Sequence, residues 1–368
     1  MPKRKVGIIF GGQSAEHEVS LQSAKNIVDA IDHDKYDVML IGIDKQGKWH
    51  INDQASYLIN AEDPERIQLH KSNKSVGVVP GATDHQLVRA ADAEKLEQLD
   101  AVFPIVHGTM GEDGSLQGLM RMANLPFVGT SVLGSAICMD KDIAKRLLQA
   151  SGINVAKGLA YTFAERSMID FTYAREQLGV PMFIKPANQG SSVGVSKVST
   201  QAAFDQAINE AFQYDQKLVI EETLKGREIE CAVLGNDDPK ASVPGEVLPQ
   251  TEFYSYESKY IDEEGAILEM PAALSADEVS RLQTTAVAVF KALECAGLAR
   301  VDFFLTTDGA VYVNEVNTLP GFTRISMYPK LWEISGISYP ELIDQLIELA
   351  IERHAQYSQL KSAVFEDD

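Results

Sequence analysis

The chain has 368 residues, 45% of them hydrophobic and 23% charged, a composition typical of globular proteins and unlike that of disordered or collagen-like chains. At about 150 residues per domain, this length predicts two to three domains. The 53 acidic and 33 basic side chains give a net charge of −20, which is the wrong sign for neutralising the phosphates of a nucleic acid.

Two further features indicate the cellular compartment. No apolar stretch in the sequence approaches the roughly 18 residues of a membrane-spanning helix. The three cysteines have no metal-binding or redox spacing, and we interpret them as reduced thiols in the core. We therefore expect a cytoplasmic protein that binds neither nucleic acid nor membrane.

The N-terminal segments predict an α/β unit. An apolar strand at Val6–Phe10 is followed by a helix with apolar residues at i, i+3, i+4 and i+7 from Ala24. Two more strands are predicted at Val38–Ile43 and Ala101–Val106. This β-α-β order predicts a parallel sheet with helices on both faces. The polar, weakly periodic insertion Lys45–Gln98 predicts only scattered short elements.

The remaining segments predict two α+β units. A helix is predicted at Ala136–Ala150, with acidic residues early and basic residues late. The next elements are strands Met182–Lys185 and Gly194–Val198, a helix at Ala202–Phe212, and a strand at Lys217–Glu221. A final region contains strands around Glu228–Leu234 and Val301–Asn317 and a closing helix, Pro340–Ala355.

A candidate metal site lies in the last pair of strands. Asp308–Gly309 between apolar strands predicts a hairpin with a two-residue turn. That turn would place Asp302 opposite Glu315, and Arg300 opposite Asn317, with all four side chains on one face. Opposed carboxylates repel unless a cation or a proton lies between them, and oxygen ligands favour Mg²⁺. The alternative is an edge hairpin whose charges face water.

A candidate phosphate-binding loop follows the strand that ends at Lys185. Gly190–Gly194 has the form Gly-x-Ser-x-Gly, which in hydrolases is a strand-turn-helix nucleophile motif. Here Val195–Val198 continues as a strand, so the segment is a glycine-rich hairpin loop. Such loops bring backbone N–H groups close to phosphates. An ordinary flexible hairpin is the alternative.

Other motifs are absent or ambiguous. The sequence lacks a dinucleotide-binding Gly-x-Gly-x-x-Gly after the first strand, a P-loop and a zinc motif. Glu16 and His107 each follow a strand, where the ligands of open parallel sheets bind, although each alone is a common turn or capping residue. The aromatic segment 253–262, with Lys259 and Tyr260, is either a mobile lid or a packed turn.

The set of motifs resembles that of the D-alanine–D-alanine ligases of the ATP-grasp superfamily. The matching segments are Gly11–Ser20, His107–Gly114, Met139–Lys141, Lys185–Gly194, Lys259–Tyr260, Arg300–Asp302 and Glu315–Phe322. The resemblance implies an N-terminal α/β substrate-binding domain, residues 1–138, and two α+β ATP-grasp domains with antiparallel sheets, residues 139–224 and 225–368. It also implies a homodimer.

The resemblance also implies the roles of individual residues. The residues expected to bind ATP are Lys141, Lys185, Ser191, Ser192, Glu221, Glu222, Leu224, Glu228 and Lys259. Two Mg²⁺ ions, or Mn²⁺, would bind Asp302, Glu315 and Asn317. The residues expected to bind the D-alanines are Glu16, His107, Lys259, Arg300, Gly321, Ser326 and Met327. The catalytic set would be Glu16, Ser191, Tyr260, Arg300, Gly321 and Ser326, with Gly321 and Arg300 stabilising an oxyanion.

The activity implied is ATP-dependent joining of two D-alanines through an acyl phosphate, for peptidoglycan synthesis. Two alternatives remain: a ligase of the same fold that joins D-alanine to D-lactate, and a nucleotide-binding regulator without catalysis. Tyr260 favours the dipeptide product, and the complete set of metal and phosphate ligands argues against a regulator. Glu222 and Arg324 depart from the family pattern without removing a metal or phosphate ligand.

Overall fold

The computed structural model describes residues 2–249 and 266–361. The helices are α1 (His17–Ala30), α2 (Ser115–Met122), α3 (Val132–Met139), α4 (Lys141–Ala150), α5 (Phe171–Leu178), α6 (Gln201–Tyr214), α7 (Ala276–Ala292), α8 (Met327–Ile334) and α9 (Tyr339–Ser358), with a 3₁₀ helix at Phe163–Met168. Among the described residues, no helix is long and apolar enough to cross a membrane.

The strands form three main sheets and two small ones. They are β1 (Arg4–Gly11), β2 (Tyr36–Ile43), β3 (Trp49–Asn52), β4 (Leu58–Ile59), β5 (Gln68–Leu69), β6 (Val76–Val78), β7 (Leu87–Arg89), β8 (Ala101–Ile105), β9 (Gly158–Thr162), β10 (Met182–Pro186), β11 (Ser196–Val198), β12 (Lys217–Glu222), β13 (Gly226–Gly235), β14 (Lys240–Ala241), β15 (Gly245–Pro249), β16 (Ala266–Glu269), β17 (Gly297–Thr306) and β18 (Val311–Asn317).

The N-terminal sheet has the order β3-β2-β1-β8. β1 pairs in parallel with β2 and β8, as predicted, and β3 adds an antiparallel edge. Successive side chains of β1 enter different cores, because side chains alternate along a strand. Ile8 and Phe10 pack in the core that contains α1 and α9, whereas Ile9 packs in the core that contains α2. Helices therefore cover both faces. The insertion Lys45–Gln98, where only scattered short elements were predicted, forms the short strands β3–β7.

The helix predicted at Ala136–Ala150 is two helices, so that prediction was wrong. Asp140 has an extended backbone, and its side chain accepts the backbone N–H groups of Asp142 and Ile143, each at 3.1 Å. An aspartate in this N-cap arrangement starts a new helix because it satisfies the free N–H groups of the first turn. The break places Lys141 at the first position of α4.

In the other two main sheets, neighbouring strands run antiparallel. The central sheet has the order β11-β10-β12-β9 and packs on α5 and α6 through a separate core. The C-terminal sheet has the order β16-β15-β13-β17-β18. Its β13, β17 and β18 bury one face on α7. The molecule is thus a mixed α/β protein with one largely parallel and two antiparallel main sheets.

The C-terminal hairpin differs from its prediction at two places. Thr306 N–H donates to Ala310 O at 3.0 Å, so the loop has three residues, with Gly309 at φ 80°. Near the loop, the third loop residue shifts the pairing of β17 with β18 by one residue from the predicted register. A bulge at Asn314 restores the predicted register further along the strands. Asp302 consequently pairs with Glu315 as predicted, although the predicted two-residue turn is wrong.

Candidate active site

A cleft of about 270 Å³ lies between the central and C-terminal sheets. Its walls include several residues predicted to bind ATP, namely Lys141, Lys185, Ser192, Glu221, Glu222, Leu224 and Glu228. Glu315 of the predicted metal site and Asn314 of the β18 bulge also line the cleft. The structure therefore brings most of the predicted nucleotide residues, and one predicted metal ligand, to one cavity.

A buried carboxylate pairs with two lysines at the base of the cleft. Glu221 is 2% exposed, and its two oxygens bind the ammonium groups of Lys145 and Lys185, the latter at 2.8 Å. Burial alone would raise the pKa of Glu221, but the two positive charges outweigh it and lower the pKa to about 2. Burial opposes the charge of Lys185, yet Glu221 keeps the pKa of this lysine raised. Lys185 is therefore a cation in the cleft.

Lys141 connects the glycine-rich loop to the predicted metal site. Its Nζ donates to the carbonyl of Gln189 at 2.6 Å, and lies 3.6 Å from Glu315 Oε2. Lys141 is the first residue of α4, directly after the break at Asp140. The lysine thus contributes positive charge between the loop and the carboxylate.

The predicted metal ligands lie on neighbouring strands. Arg300 donates to both oxygens of Asp302 at 2.7 Å, and Asn317 Nδ2 donates to Asp302 Oδ2 at 3.0 Å. Glu315 is opposite Asp302 on β18, and Glu230 is opposite it on β13. Arg300 Nε is also 3.0 Å from Glu230 Oε2. Three carboxylates therefore stand in a row across three strands beside one guanidinium group.

This arrangement fits a divalent cation of the Mg²⁺ type. Asp302, Glu315 and Asn317 supply two carboxylates and one amide oxygen, which are hard oxygen donors. Within the described ranges, no three His, Cys, Asp or Glu side chains are close enough to form a metal site by themselves. Mg²⁺ is usually held by one or two carboxylates, and substrate phosphates and water supply its other ligands.

Glu16 lies beyond the carboxyl end of β1 and contacts the glycine-rich loop. Its Oε1 accepts a hydrogen bond from Ser191 Oγ, and both residues are buried. A Cβ on Gly190 would lie 3.1 Å from Glu16 Oε2, so a larger residue there would force the Glu16 side chain to move by a few tenths of an ångström. The structure therefore joins a carboxylate of the N-terminal unit to the loop that borders the nucleotide cleft.

His107 connects the N-terminal sheet to the loop after β18. Its Nδ1 donates to the carbonyl of Leu319 at 2.9 Å, and its Nε2 lies 3.2 Å from Ser23 Oγ. Burial lowers the pKa of His107 in spite of the charge of Glu16. The imidazole is therefore neutral, with its proton on Nδ1. Ser23 also accepts the backbone N–H of Phe322 at 3.1 Å, which fixes the segment that contains Gly321.

The remaining predicted site residues do not line the cleft or lie outside the described residues. Ser326 occupies the N-cap position of α8 without a side-chain capping hydrogen bond, and its Oγ accepts the N–H of Thr323 at 2.9 Å. Met327 packs in the hydrophobic core at 4% exposure, so its side chain is not brought to the cleft. Lys259 and Tyr260 lie outside the described residues.

Three site residues were missed by the sequence predictions. Lys145 follows Lys141 by four residues on α4, a spacing that places both on one helix face. Glu230 follows Glu228 by two residues on β13, and the two therefore share a sheet face. Glu112 accepts the N–H groups of Gly108 at 2.7 Å and Leu319 at 3.0 Å. Burial and the charge of Glu16 raise the pKa of Glu112 to about 8.

Two family models match the chain. Residues 5–130 match the model described as "D-ala D-ala ligase N-terminus", and residues 147–348 match "D-ala D-ala ligase C-terminus". The D-alanine--D-alanine ligases of Oceanobacillus iheyensis and Shouchella clausii are each 65% identical to this chain, over 98% and 100% of it and 99% and 100% of their own lengths. D-alanine--D-alanine ligase A of Escherichia coli K12 is 56% identical over 99% of this chain and 100% of its own length.

Solved structures show the same similarity. The D-alanine-D-alanine ligase from Coxiella burnetii is 40% identical, with a TM-score of 0.83 over 98% of this chain and 97% of that chain. The VanG D-Ala:D-Ser ligase from Enterococcus faecalis is 37% identical, with a TM-score of 0.83 over 95% of this chain and 99% of its own. The chain therefore belongs to the D-alanine–D-alanine ligase family.

Proposed function

We propose that the protein joins two D-alanine molecules to D-alanyl-D-alanine with cleavage of ATP to ADP and phosphate, as a homodimer in the cytoplasm, for peptidoglycan synthesis. Family membership supports the reaction. The observation that carries it is the hydrogen bond from Ser191 to Glu16. This bond joins the loop of the nucleotide cleft to an N-terminal carboxylate, so that phosphate and amino acid can meet at one place.

We assign the two substrates to different parts of the chain. Residues 1–138 would hold the first D-alanine, with Glu16 binding its ammonium group and neutral His107 near its carboxylate. Residues 139–224 and 225–368 would hold ATP as two ATP-grasp domains. Lys141 and Lys185 lie on the walls of the cleft between them and match the negative charge of a triphosphate.

The proposed reaction has two steps. A carboxylate oxygen of the first D-alanine attacks the γ-phosphorus of ATP, the bond to the β-phosphate breaks, and ADP leaves. The amine of the second D-alanine then attacks the acyl carbon, loses a proton, and displaces phosphate. Lys185 and Arg300 offset negative charge on the transferring oxygens, and the backbone at Gly321 stabilises the oxyanion of the second step. Lys259, Ser326 and Met327 are proposed to border the second D-alanine.

Two divalent cations are proposed to bind Asp302, Glu315 and Asn317. When bound, they would supply positive charge that offsets the charge of the triphosphate and the charge that develops during transfer. The chain itself holds Asp302 in place through Arg300 and Asn317, at 2.7 and 3.0 Å. This preorganised carboxylate is the chain's own contribution to the site.

The test is an assay of ADP release with ATP, Mg²⁺ and D-alanine, with identification of the dipeptide by mass spectrometry. We expect ADP only when both D-alanine and Mg²⁺ are present. Equal ADP release with L-alanine, or without any amino acid, would contradict the proposal.

A competition assay separates this function from its alternatives. D-alanine, D-lactate and D-serine are offered as second substrates across a range of pH, and the products are quantified. Predominance of D-alanyl-D-alanine is expected; predominance of the depsipeptide would identify a D-lactate ligase. Nucleotide binding without any product would identify a regulator.

A further inference from the structure

Both ends of the glycine-rich loop are attached to the C-terminal end of α6. At the first end, Asn188 donates its backbone N–H at 2.7 Å and its side-chain Nδ2 at 3.0 Å to the same oxygen, Asp215 Oδ2. Gln189 Nε2 donates to the carbonyl of Tyr214 at 3.0 Å. The two residues that directly precede the loop therefore bind two consecutive residues at the end of one helix.

The second end of the loop packs on the same helix end. Gly194 has φ +68°, and a Cβ on it would lie 2.7 Å from Tyr214 Cδ2. The ring of Tyr214 therefore lies directly on the backbone of the last glycine of the loop. This contact closes the base of the hairpin at the residue before Asp215.

Asp215 is itself tied to the central sheet. Its Oδ1 accepts the backbone N–H of Lys217 at 3.3 Å, and the carbonyl of Lys217 accepts the N–H of Ala187 at 2.9 Å. Lys141 N–H donates to the carbonyl of Ala187 at 3.0 Å. The base of the loop is thus bonded to β12, to the start of α4 and to the end of α6.

The tip of the loop contrasts with this base. Ser191 and Ser192 both have positive φ, 51° and 61°, a backbone region that is unfavourable for residues other than glycine. A tip in this conformation persists only when the surrounding structure holds it. Asn188 lies three residues before Ser191. Among the described residues, Asp215 is the carboxylate that accepts both its backbone N–H and its side-chain Nδ2.

We propose that Asp215 is a positioning residue for nucleotide binding, which acts with Asn188 and Tyr214 to hold the glycine-rich loop in the conformation that receives the phosphates. This rests on the proposed function in that the ligand is ATP. Fixing the loop before binding removes part of the conformational entropy that binding would otherwise cost. Asp215 acts on the ligand only through the loop.

Substitutions at the two partners give a graded test. Asp215→Ala removes both hydrogen bonds to Asn188, and we expect the Kd for a non-hydrolysable ATP analogue to rise about tenfold. Asn188→Ala removes the side-chain bond and leaves the backbone bond, so its effect is expected to be smaller. The matched control is Asp205→Ala, since Asp205 is an exposed acid of the same helix bonded to Gln201 at 2.8 Å. The control is expected to bind the analogue like the wild type.

Two readouts distinguish positioning from a general structural role. Binding is measured by calorimetry with Mg²⁺, and backbone hydrogen exchange is measured without nucleotide. We expect Asp215→Ala to speed exchange in residues 188–194 while the interior of α6 stays protected. Unchanged affinity, or faster exchange throughout α6 and β12, would overturn the proposal.

A second variant covers the case in which Asp215→Ala does not fold. Asn188→Asp places a carboxylate against Asp215 and is expected to weaken analogue binding more than Asn188→Ala; equal affinities would overturn the proposal. Binding of the analogue involves no turnover. A wild-type protein that binds it but forms no dipeptide would therefore refute the proposed function and leave the role of Asp215 intact.

Discussion

Replacement of Glu221 by glutamine tests the charge balance at the base of the cleft. This carboxylate is 2% exposed and lies between the ammonium groups of Lys145 and Lys185. Glu221→Gln leaves two buried cations without a counter-charge, a change that typically costs about 3 to 5 kcal/mol. The lysines lower the pKa of Glu221 from 4.5 to about 2 against the effect of burial, a difference worth about 3 kcal/mol. We expect Glu221→Gln to lower the free energy of unfolding by about 3 kcal/mol at pH 7.

The assay is urea unfolding of the nucleotide-free protein followed by circular dichroism, with Glu222→Gln as the matched control. Glu222 is the adjacent carboxylate and accepts one backbone N–H, from Lys157 at 2.8 Å. The folded-state pKa of Glu221 is depressed, so its stabilisation is complete above pH 4.5 and is lost as the pH falls towards about 2. The gap between wild type and Glu221→Gln should therefore be constant from neutral pH to about 5 and shrink below 4.5. A loss at pH 7 no greater than that of Glu222→Gln would refute the reasoning.

Two other substitutions test the substrate and metal sites. Gly190→Ala would place a Cβ 3.1 Å from Glu16 Oε2, so the KM for D-alanine should rise while thermal stability stays near that of the wild type. The control is Gly118→Ala, because a Cβ there would meet its nearest neighbour at 3.9 Å. An equal rise of the KM in the control would contradict this reasoning. Glu315→Gln should reduce ADP release at least about a hundredfold, whereas Arg324→Ser, at a side chain 76% exposed, should change it less than about twofold. The reverse ranking would show that the metal site is misplaced.

The hairpin shows how a sequence prediction can be right about a contact and wrong about its cause. Asp308–Gly309 is a strong turn signal, and it predicted the pairing of Asp302 with Glu315 that the structure confirms. The pairing nevertheless arises from a three-residue loop whose shift is cancelled by the bulge at Asn314. A bulge depends on packing between strands, and the local sequence carries no reliable signal for it.

Other features were recoverable from local patterns to different degrees. Strand β1 followed from a continuous apolar run, because its side chains enter cores on both faces of the sheet, and helix α1 followed from the helical period of its buried apolar stripe. The end of α3 at Asp140 was missed, although aspartate is a favoured N-cap, because the apolar period continues through the break. The pairing of Glu221 with Lys145 joins residues 76 positions apart and depends on tertiary structure alone.

The net charge of −20 and an anionic substrate are compatible because charge acts locally in this fold. The acids and bases near the cleft are paired across secondary-structure elements: Glu221 on β12 with two lysines, and Glu230 on β13 with Arg300 on β17. Each pair combines a carboxylate on a strand with a cation on a neighbouring strand or helix, and this pairing fixes the position of the cation beside the cleft. The excess of acids elsewhere is screened by salt within about 10 Å. Global charge therefore disfavours binding of a polyanion that covers a wide surface, whereas the charge of buried lysines acts locally, inside the cleft.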